Sequence, residues 1–365
     1  MTESIHAELD PLRWQVDYFT SDSIHAGVSA RIRRHAFGFF VRNFAREAFR
    51  RGQAYNIINI HEPSGAALMI GKSQIGSPAI IAMSHGVEQR YWELRLRKHL
   101  AGPSPPGLKE RFTYPAFSLW QSRLTLCAAE HVFCLNREDQ AFLVERFKLL
   151  HQDVTCVYPG VGEIFSRMAR MREYPRQANK LLFSGTWIER KGIRQVVGAL
   201  AELTKRNYLM ELGILGAGVG EERVLSDFPA NLRSRVRVFP PMNHVACSQL
   251  LLEYDLFILP SWYEGTPLAL LEAMATGMPV ITTATCGMKD VVVSGKNGLL
   301  ISPGHTQELT TAVEHLFDNR ELRLSLGLEA SLAARRYTWP KTAEVVAEAY
   351  ERVLGSSATH ASLCE

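Results

Sequence analysis

Residues 259–283 read LPSWYEGTPLALLEAMATGMPVITT, and this stretch narrows the fold more than any other. The apolar run 255–260 has the length and composition of a strand buried in a parallel sheet. A polar turn with Gly265 and Pro267 follows, and residues 268–276 have helical composition. A second apolar run, 279–283, completes a strand, turn, helix and strand. Chains built from such units fold as open α/β sheets.

Within this unit Glu264 falls in the loop at the first strand's carboxyl end, and Glu272 falls about two helical turns later. Loops at the carboxyl ends of parallel strands form the ligand crevice of open α/β sheets, and helix starts attract phosphate through free N–H groups. Carboxylates are not phosphate ligands, because like charges repel. They are suited to accept hydrogen bonds from hydroxyls, which a nucleotide sugar offers on both sides of its diphosphate. The alternative is that the two glutamates only complement the helix dipole.

The strings Glu264-Gly265-Thr266-Pro267-Leu268, Leu271-Glu272-Ala273-Met274-Ala275 and Gly277-Met278-Pro279-Val280-Ile281 resemble the signature of the retaining glycosyltransferases of family 4. The resemblance runs from about Tyr55 to Leu354, with decreasing sharpness away from this centre. It implies the GT-B architecture: two Rossmann-like, doubly wound parallel-sheet domains facing across a cleft, with the C-terminal helix crossing back to the first.

A chain of 365 residues has room for two such domains, and 46% hydrophobic with 21% charged residues is ordinary for a soluble globular protein. The formal charge of +4 is uneven: +7 falls on residues 1–180 and −3 on the remainder. Cys127, Cys134, Cys156, Cys247, Cys286 and Cys364 are scattered without ligand spacing and read as reduced thiols. The opening MTESIHAELD is too polar for a signal peptide, and no uninterrupted apolar run reaches the ~18 residues of a membrane span. These features predict a cytoplasmic protein, with any membrane contact peripheral and at the inner face.

Strands are expected at 13–20, 55–60, 79–84, 131–136 and 155–160, with helices at 30–51 and 113–129 and a loop at 100–108. Residues 163–179, polar and Arg-rich without a clear period, are expected to form a linker. Further strands are expected at 180–184, 211–215, 236–239 and 299–301, and helices at 193–203, 307–318, 320–334 and 341–354. The domain expectation is therefore an acceptor domain over 1–162, a linker over 163–179 and a donor domain over 180–340. A returning helix over 341–358 and a tail over 359–365 complete it.

The resemblance assigns roles to residues that match the family's motifs. Gly185, Thr186, Arg190 and Lys191 stand where the family binds the donor diphosphate, with Lys191 matching the cation that neutralises the leaving phosphate. The family often has Arg directly after the first glycine, and this chain has Thr186 there. His85, followed by Gly86, matches the histidine that reaches the donor sugar, and a buried structural role is its alternative. Glu264 would hold donor-sugar hydroxyls, Gly265, Thr266, Pro267 and Leu268 would lie against sugar and phosphate, and Glu272 would bind the ribose hydroxyls. His85, Lys191 and Glu264 are thus the expected catalytic residues. His61 and Glu62 occupy another strand end on the same face and are candidates for acceptor contacts or for structure, and Glu88, close to His85 in the chain, is a candidate for orienting His85 or the acceptor.

No Asp-x-Asp pair occurs, so transfer without a metal or other cofactor is expected, the diphosphate charge being met by Lys191, Arg190 and helix N–H groups. No second carboxylate is placed for double displacement. The resemblance implies retention by a front-face route, with the acceptor hydroxyl entering beside the departing phosphate. The 30–51 segment interleaves Arg31, Arg33, Arg34, Arg42, Arg46, Arg50 and Arg51 with phenylalanines, and reads either as a helix for an anionic membrane or as an ordinary domain helix. Nucleic acid is not an expected partner.

The family normally opens with a strand, a glycine-rich loop and a helix that this sequence has too few residues to supply before 13–20. Either 13–20 serves as the first strand with Gly27 in its loop, or a central strand is missing from an N-terminally shortened chain. The expected function is transfer of a hexose-type sugar from a nucleotide diphosphate donor to a glycan or lipid-linked acceptor, as in cell-surface polysaccharide or glycoconjugate synthesis. The alternatives are a non-catalytic glycosyltransferase-like subunit with an incomplete acceptor domain, or a GT-B enzyme of another reaction such as a nucleotide-sugar epimerase.

Overall fold

Short apolar runs bounded by glycine, proline and polar turns become parallel strands here, because helices between them cover both sheet faces. The computed structural model describes residues 1–11, 13–25, 27–97 and 104–361. Cys364 and residues 100–103 of the 100–108 segment lie outside them. The described residues within 1–96, 106–158 and 340–365 form one unit, and those within 97–105 and 159–339 form another.

In the first unit, β1 (Ile57–His61), β2 (Ala79–Met83), β3 (His131–Cys134) and β4 (Val154–Cys156) form a parallel sheet whose spatial order equals chain order. β2 and β3 are buried along their whole length. Ile60, Ile80, Leu68, Val41 and Ala45 make one core cluster, and Ala82, Val132, Leu126, Leu143 and Phe147 make another. Helix Trp339–Ala361 rejoins this unit from Pro340 on, where Tyr350 accepts a 2.7 Å bond from the Asn59 amide on β1.

Residues 14–20, expected as a strand, join neither sheet. Their aromatic rings act as anchors instead: Trp14 packs on Tyr350, Phe19 lies between Phe37 and Phe44, and Tyr55 donates to Asp17. Helix Ala30–Arg50 forms as expected and buries Val41 and Ala45, while Phe39 stays 55% exposed. Arg42 donates to the Ile70 carbonyl and Arg51 pairs with Glu47; the side chains of Arg31, Arg33 and Arg34 lie outside the described ones. Helix Leu108–Tyr114 begins within the expected loop and runs through a π-helical turn, Pro115–Leu119, into helix Trp120–Ala128.

The second unit holds β5 (Lys180–Ser184), β6 (Glu211–Leu215), β7 (Val236–Phe239), β8 (Leu256–Leu259), β9 (Val280–Thr283) and β10 (Leu299–Ile301) in the order β10-β9-β8-β5-β6-β7. All neighbours are parallel, and the order in which strands are added reverses between β5 and β8, which makes their carboxyl ends a topological switch point. The 163–179 segment is not a linker here. Glu163–Met168 is a helix with Phe165 fully buried, and the buried Arg172 donates to the carbonyls of Thr276, Tyr254 and Leu251. Its polar composition misled because an arginine is used to saturate helix-end carbonyls inside the unit.

Candidate functional site

The carboxyl ends of β5 and β8 deliver two loops to the switch point. Gly185 follows β5 at φ +143°, and the Lys191 side chain folds back over it, so that a β-carbon at 185 would lie 3.5 Å from Cε. Gly192 ends the loop at φ +75°, where a β-carbon would come within 2.1 Å of the Pro260 carbonyl oxygen. Only glycine lets the β5 loop approach the β8 loop this closely. The Trp262 N–H donates to the Arg190 carbonyl at 2.8 Å and fastens the loops together. Thr186 is exposed beside the Gly216–Gly218 turn that follows β6.

Lys191 Nζ lies 2.6 Å from Glu264 Oε1, in a pair almost wholly removed from solvent. Glu264 is 6% exposed and Thr266 5%. Pro267 sits at the N-cap of helix Leu268–Ala275, with the polar turn before it. Glu272 lies on that helix, and burial alone pushes its carboxyl up to about 7. Among the described residues no hydrogen bond or ion pair engages that carboxyl. The two loops therefore bring together a cation and a carboxylate neutralised by it, and the helix that follows carries a second carboxyl without an internal donor.

Sequence reasoning missed one supporting element, the short helix Cys286–Val291 after β9. The Gly287 N–H donates to the Gly265 carbonyl at 2.9 Å, and a β-carbon at 287 would meet that oxygen and Thr266 Oγ1 at 2.2 Å. The available signal was Gly287 itself, four residues beyond the end of β9 and two after Thr285.

In the first unit, His61 ends β1, and His85 stands two residues beyond the end of β2. Their rings meet, with His85 Nε2 2.9 Å from His61 Nδ1. Glu62 is half-buried and accepts hydrogen bonds from the Ser84 and Ser122 hydroxyls and, at 3.2 Å, from the Glu88 N–H. Burial pushes its carboxyl up to about 7 against the pull of those hydroxyls. The Tyr114 hydroxyl donates to Glu88, and its ring stacks on Trp92. Thus Lys191 and Glu264 pair at the start of the turn that leads into helix Leu268–Ala275, which carries Glu272, while His61, Glu62, His85 and Glu88 form a cluster in the first unit.

Residues 169–331 match the family described as Glycosyl transferases group 1. The chain is 29% identical over 187 residues to a D-inositol 3-phosphate glycosyltransferase of Pseudarthrobacter chlorophenolicus, covering 49% of this chain and 44% of that protein. It is 29% identical over 259 residues to an alpha-D-kanosaminyltransferase of Streptomyces kanamyceticus, covering 68% and 67%. The chain spans about half the length of the D-inositol 3-phosphate glycosyltransferases it matches. Among solved structures, sucrose-phosphate synthase of Thermosynechococcus elongatus superposes with a TM-score of 0.71 at 18% identity, covering 90% of this chain and 81% of that one. The Anabaena HepE protein, in complex with UDP and glucose, gives 0.63 at 16% identity, covering 88% and 82%. These likenesses and the two parallel-sheet units establish the GT-B fold, and the match to glycosyl transferases group 1 falls within the second unit, over residues 169–331.

Proposed function

We propose that this chain transfers a sugar from a nucleotide diphosphate donor, held at the loops after β5 and β8, to a hydroxyl of a glycan or lipid-linked acceptor. The observation that carries the reading is the buried Lys191–Glu264 pair at the switch point, with the undonated Glu272 carboxyl on the helix beyond it. Lys191 can touch a diphosphate oxygen while still neutralising Glu264, which removes the repulsion a bare carboxylate would impose. Glu264 then accepts hydrogen bonds from sugar hydroxyls and Glu272 from the ribose diol. The HepE structure with UDP and glucose, on the same fold, supports a donor of this class.

In the proposed reaction the acceptor oxygen bonds to the anomeric carbon as the carbon–phosphate oxygen bond breaks. The nucleoside diphosphate departs with the acceptor's proton, and the anomeric configuration is retained. Lys191 stabilises the charge that develops on the departing phosphate, and Arg190 and backbone N–H groups add to it. No metal or other cofactor takes part. His85 positions a donor-sugar hydroxyl, and the acceptor binds at the strand ends of the first unit.

Peripheral contact with an anionic membrane through the Ala30–Arg50 helix belongs to the same proposal, with the reaction on the cytoplasmic side. No helix among the described residues is long and apolar enough to cross a membrane. The test is turnover of glucose-labelled UDP, GDP and ADP donors in the presence of a chelator, followed by proton NMR of the product. An α-linked product from an α-linked donor supports the reading; activity only on metal addition, or an inverted product, contradicts it.

A further inference from the structure

We propose that His61 and Glu62 are positioning residues for His85: Glu62 clamps the 84–88 turn, and His61 fixes the tautomer in which His85 presents Nδ1 as a hydrogen-bond acceptor. The inference rests on the donor-sugar role proposed for His85. It begins in the register of the sheet, where His61 lies opposite Met83 at the carboxyl ends of β1 and β2. His85, two residues further on, curls over β1, and its Nε2 comes 2.9 Å from His61 Nδ1 with ring centroids 4.7 Å apart.

A neutral imidazole carries one N–H, and the side chain intrinsically prefers it on Nε2. If His85 Nε2–H donates to His61 Nδ1, both rings hold the preferred tautomer. The reverse bond requires both to hold the other. Burial lowers both pKa values, His61 to about 4 with the neighbouring His85 adding to the effect, so the pair is neutral near pH 7. His85 then has its Nδ1 lone pair available to accept from a ligand hydroxyl, and the ring is partly open to solvent.

Glu62 holds the backbone that carries this ring. One carboxyl oxygen takes the Ser84 hydroxyl, and the other takes the Ser122 hydroxyl and the Glu88 N–H. The Gly86 N–H in turn donates to Ser84 Oγ. With both oxygens engaged inside the protein, Glu62 serves the His85 turn rather than an acceptor.

Nitrogen NMR of the histidine rings, with hydrolysis of whichever nucleotide diphosphate glucose binds best, tests this. Wild-type protein is expected to show His85 unprotonated at Nδ1 without any ligand. His61→Leu removes the acceptor and is expected to give mixed tautomers and about a tenfold fall in hydrolysis, with donor affinity changed by less than about twofold. His61→Asn places an oxygen near the former Nδ1 and is expected to restore both. Glu62→Gln is expected to speed hydrogen exchange at the Glu88 amide about tenfold. A wild-type Nδ1–H at His85, or a His85 spectrum unchanged in His61→Leu, overturns the tautomer assignment. Altered tautomers with unaltered hydrolysis overturn the positioning role, and unaltered Glu88 exchange overturns the clamp. Should no nucleotide bind wild-type protein, the donor-site reading fails, while the spectra and the exchange rate still decide the pairing and the clamp.

Discussion

Replacing Glu272 with Gln is expected to stabilise the ligand-free protein, by an amount that depends on pH. An exposed glutamate titrates near 4.5, and burial of Glu272 in the folded protein pushes that to about 7. Between these values the folded state holds a proton that the unfolded state has lost, so raising the pH destabilises the fold through this group. Below the lower value, and above the upper one, its contribution is flat. The two values differ by about 2.5, and at ~1.36 kcal/mol each the destabilisation accumulated from pH 4.5 to pH 7 is about 3 kcal/mol. Gln keeps the shape and does not titrate. The unfolding free energy of Glu272→Gln minus that of wild type should therefore climb by about 3 kcal/mol across this window and level off above it. Urea unfolding of both proteins at pH 5, 6, 7 and 8, followed by tryptophan fluorescence, measures the difference, in which every other titrating group cancels. A difference independent of pH would show that Glu272 ionises as freely in the fold as outside it, and would refute the reasoning.

Other expectations concern the same unit. Lys191→Ala should lower turnover by about a hundredfold through lost charge stabilisation, and a double-mutant cycle with Glu264→Gln should give a coupling of about 1–3 kcal/mol in thermal unfolding. Additive effects would mean that the 2.6 Å pair contributes nothing. Gly287→Ala drives a β-carbon onto the Gly265 carbonyl and Thr266 Oγ1, and should weaken nucleotide binding about tenfold by displacing the turn. Unaltered affinity in a folded variant would detach that turn from the site. Arg172→Met strands three carbonyls inside the second unit and should cost about 3 kcal/mol of stability, read as a lowered unfolding midpoint.

Much of the second unit was legible in the sequence because its strands are short apolar runs with sharp polar or glycine boundaries, as at 180–184 and 256–259. Lys191, Glu264 and Glu272 stood out through local motifs. Their pairing did not, since it depends on β5 lying beside β8, a neighbour more than 70 residues away in the chain. The same holds for His61 and His85, which meet only through the parallel register of β1 and β2. Composition failed at 163–179, where arginines suggested a solvated linker and Arg172 instead saturates buried carbonyls. It failed differently at 14–20, where alternating polar and aromatic residues resemble a strand but spend their rings on a helix and on Tyr350.

The loops after β5 and β8 are proposed to bind a nucleotide diphosphate sugar through Lys191, Glu264 and Glu272. Calorimetric titration of UDP-, GDP- and ADP-glucose into wild-type protein and Glu272→Ala, in a chelator-containing buffer at pH 8, tests it most directly. Binding of one nucleotide class, weakened by about tenfold or more in the variant, is the expected result. Absence of binding by the folded wild type, or equal affinity in the two proteins, would contradict it.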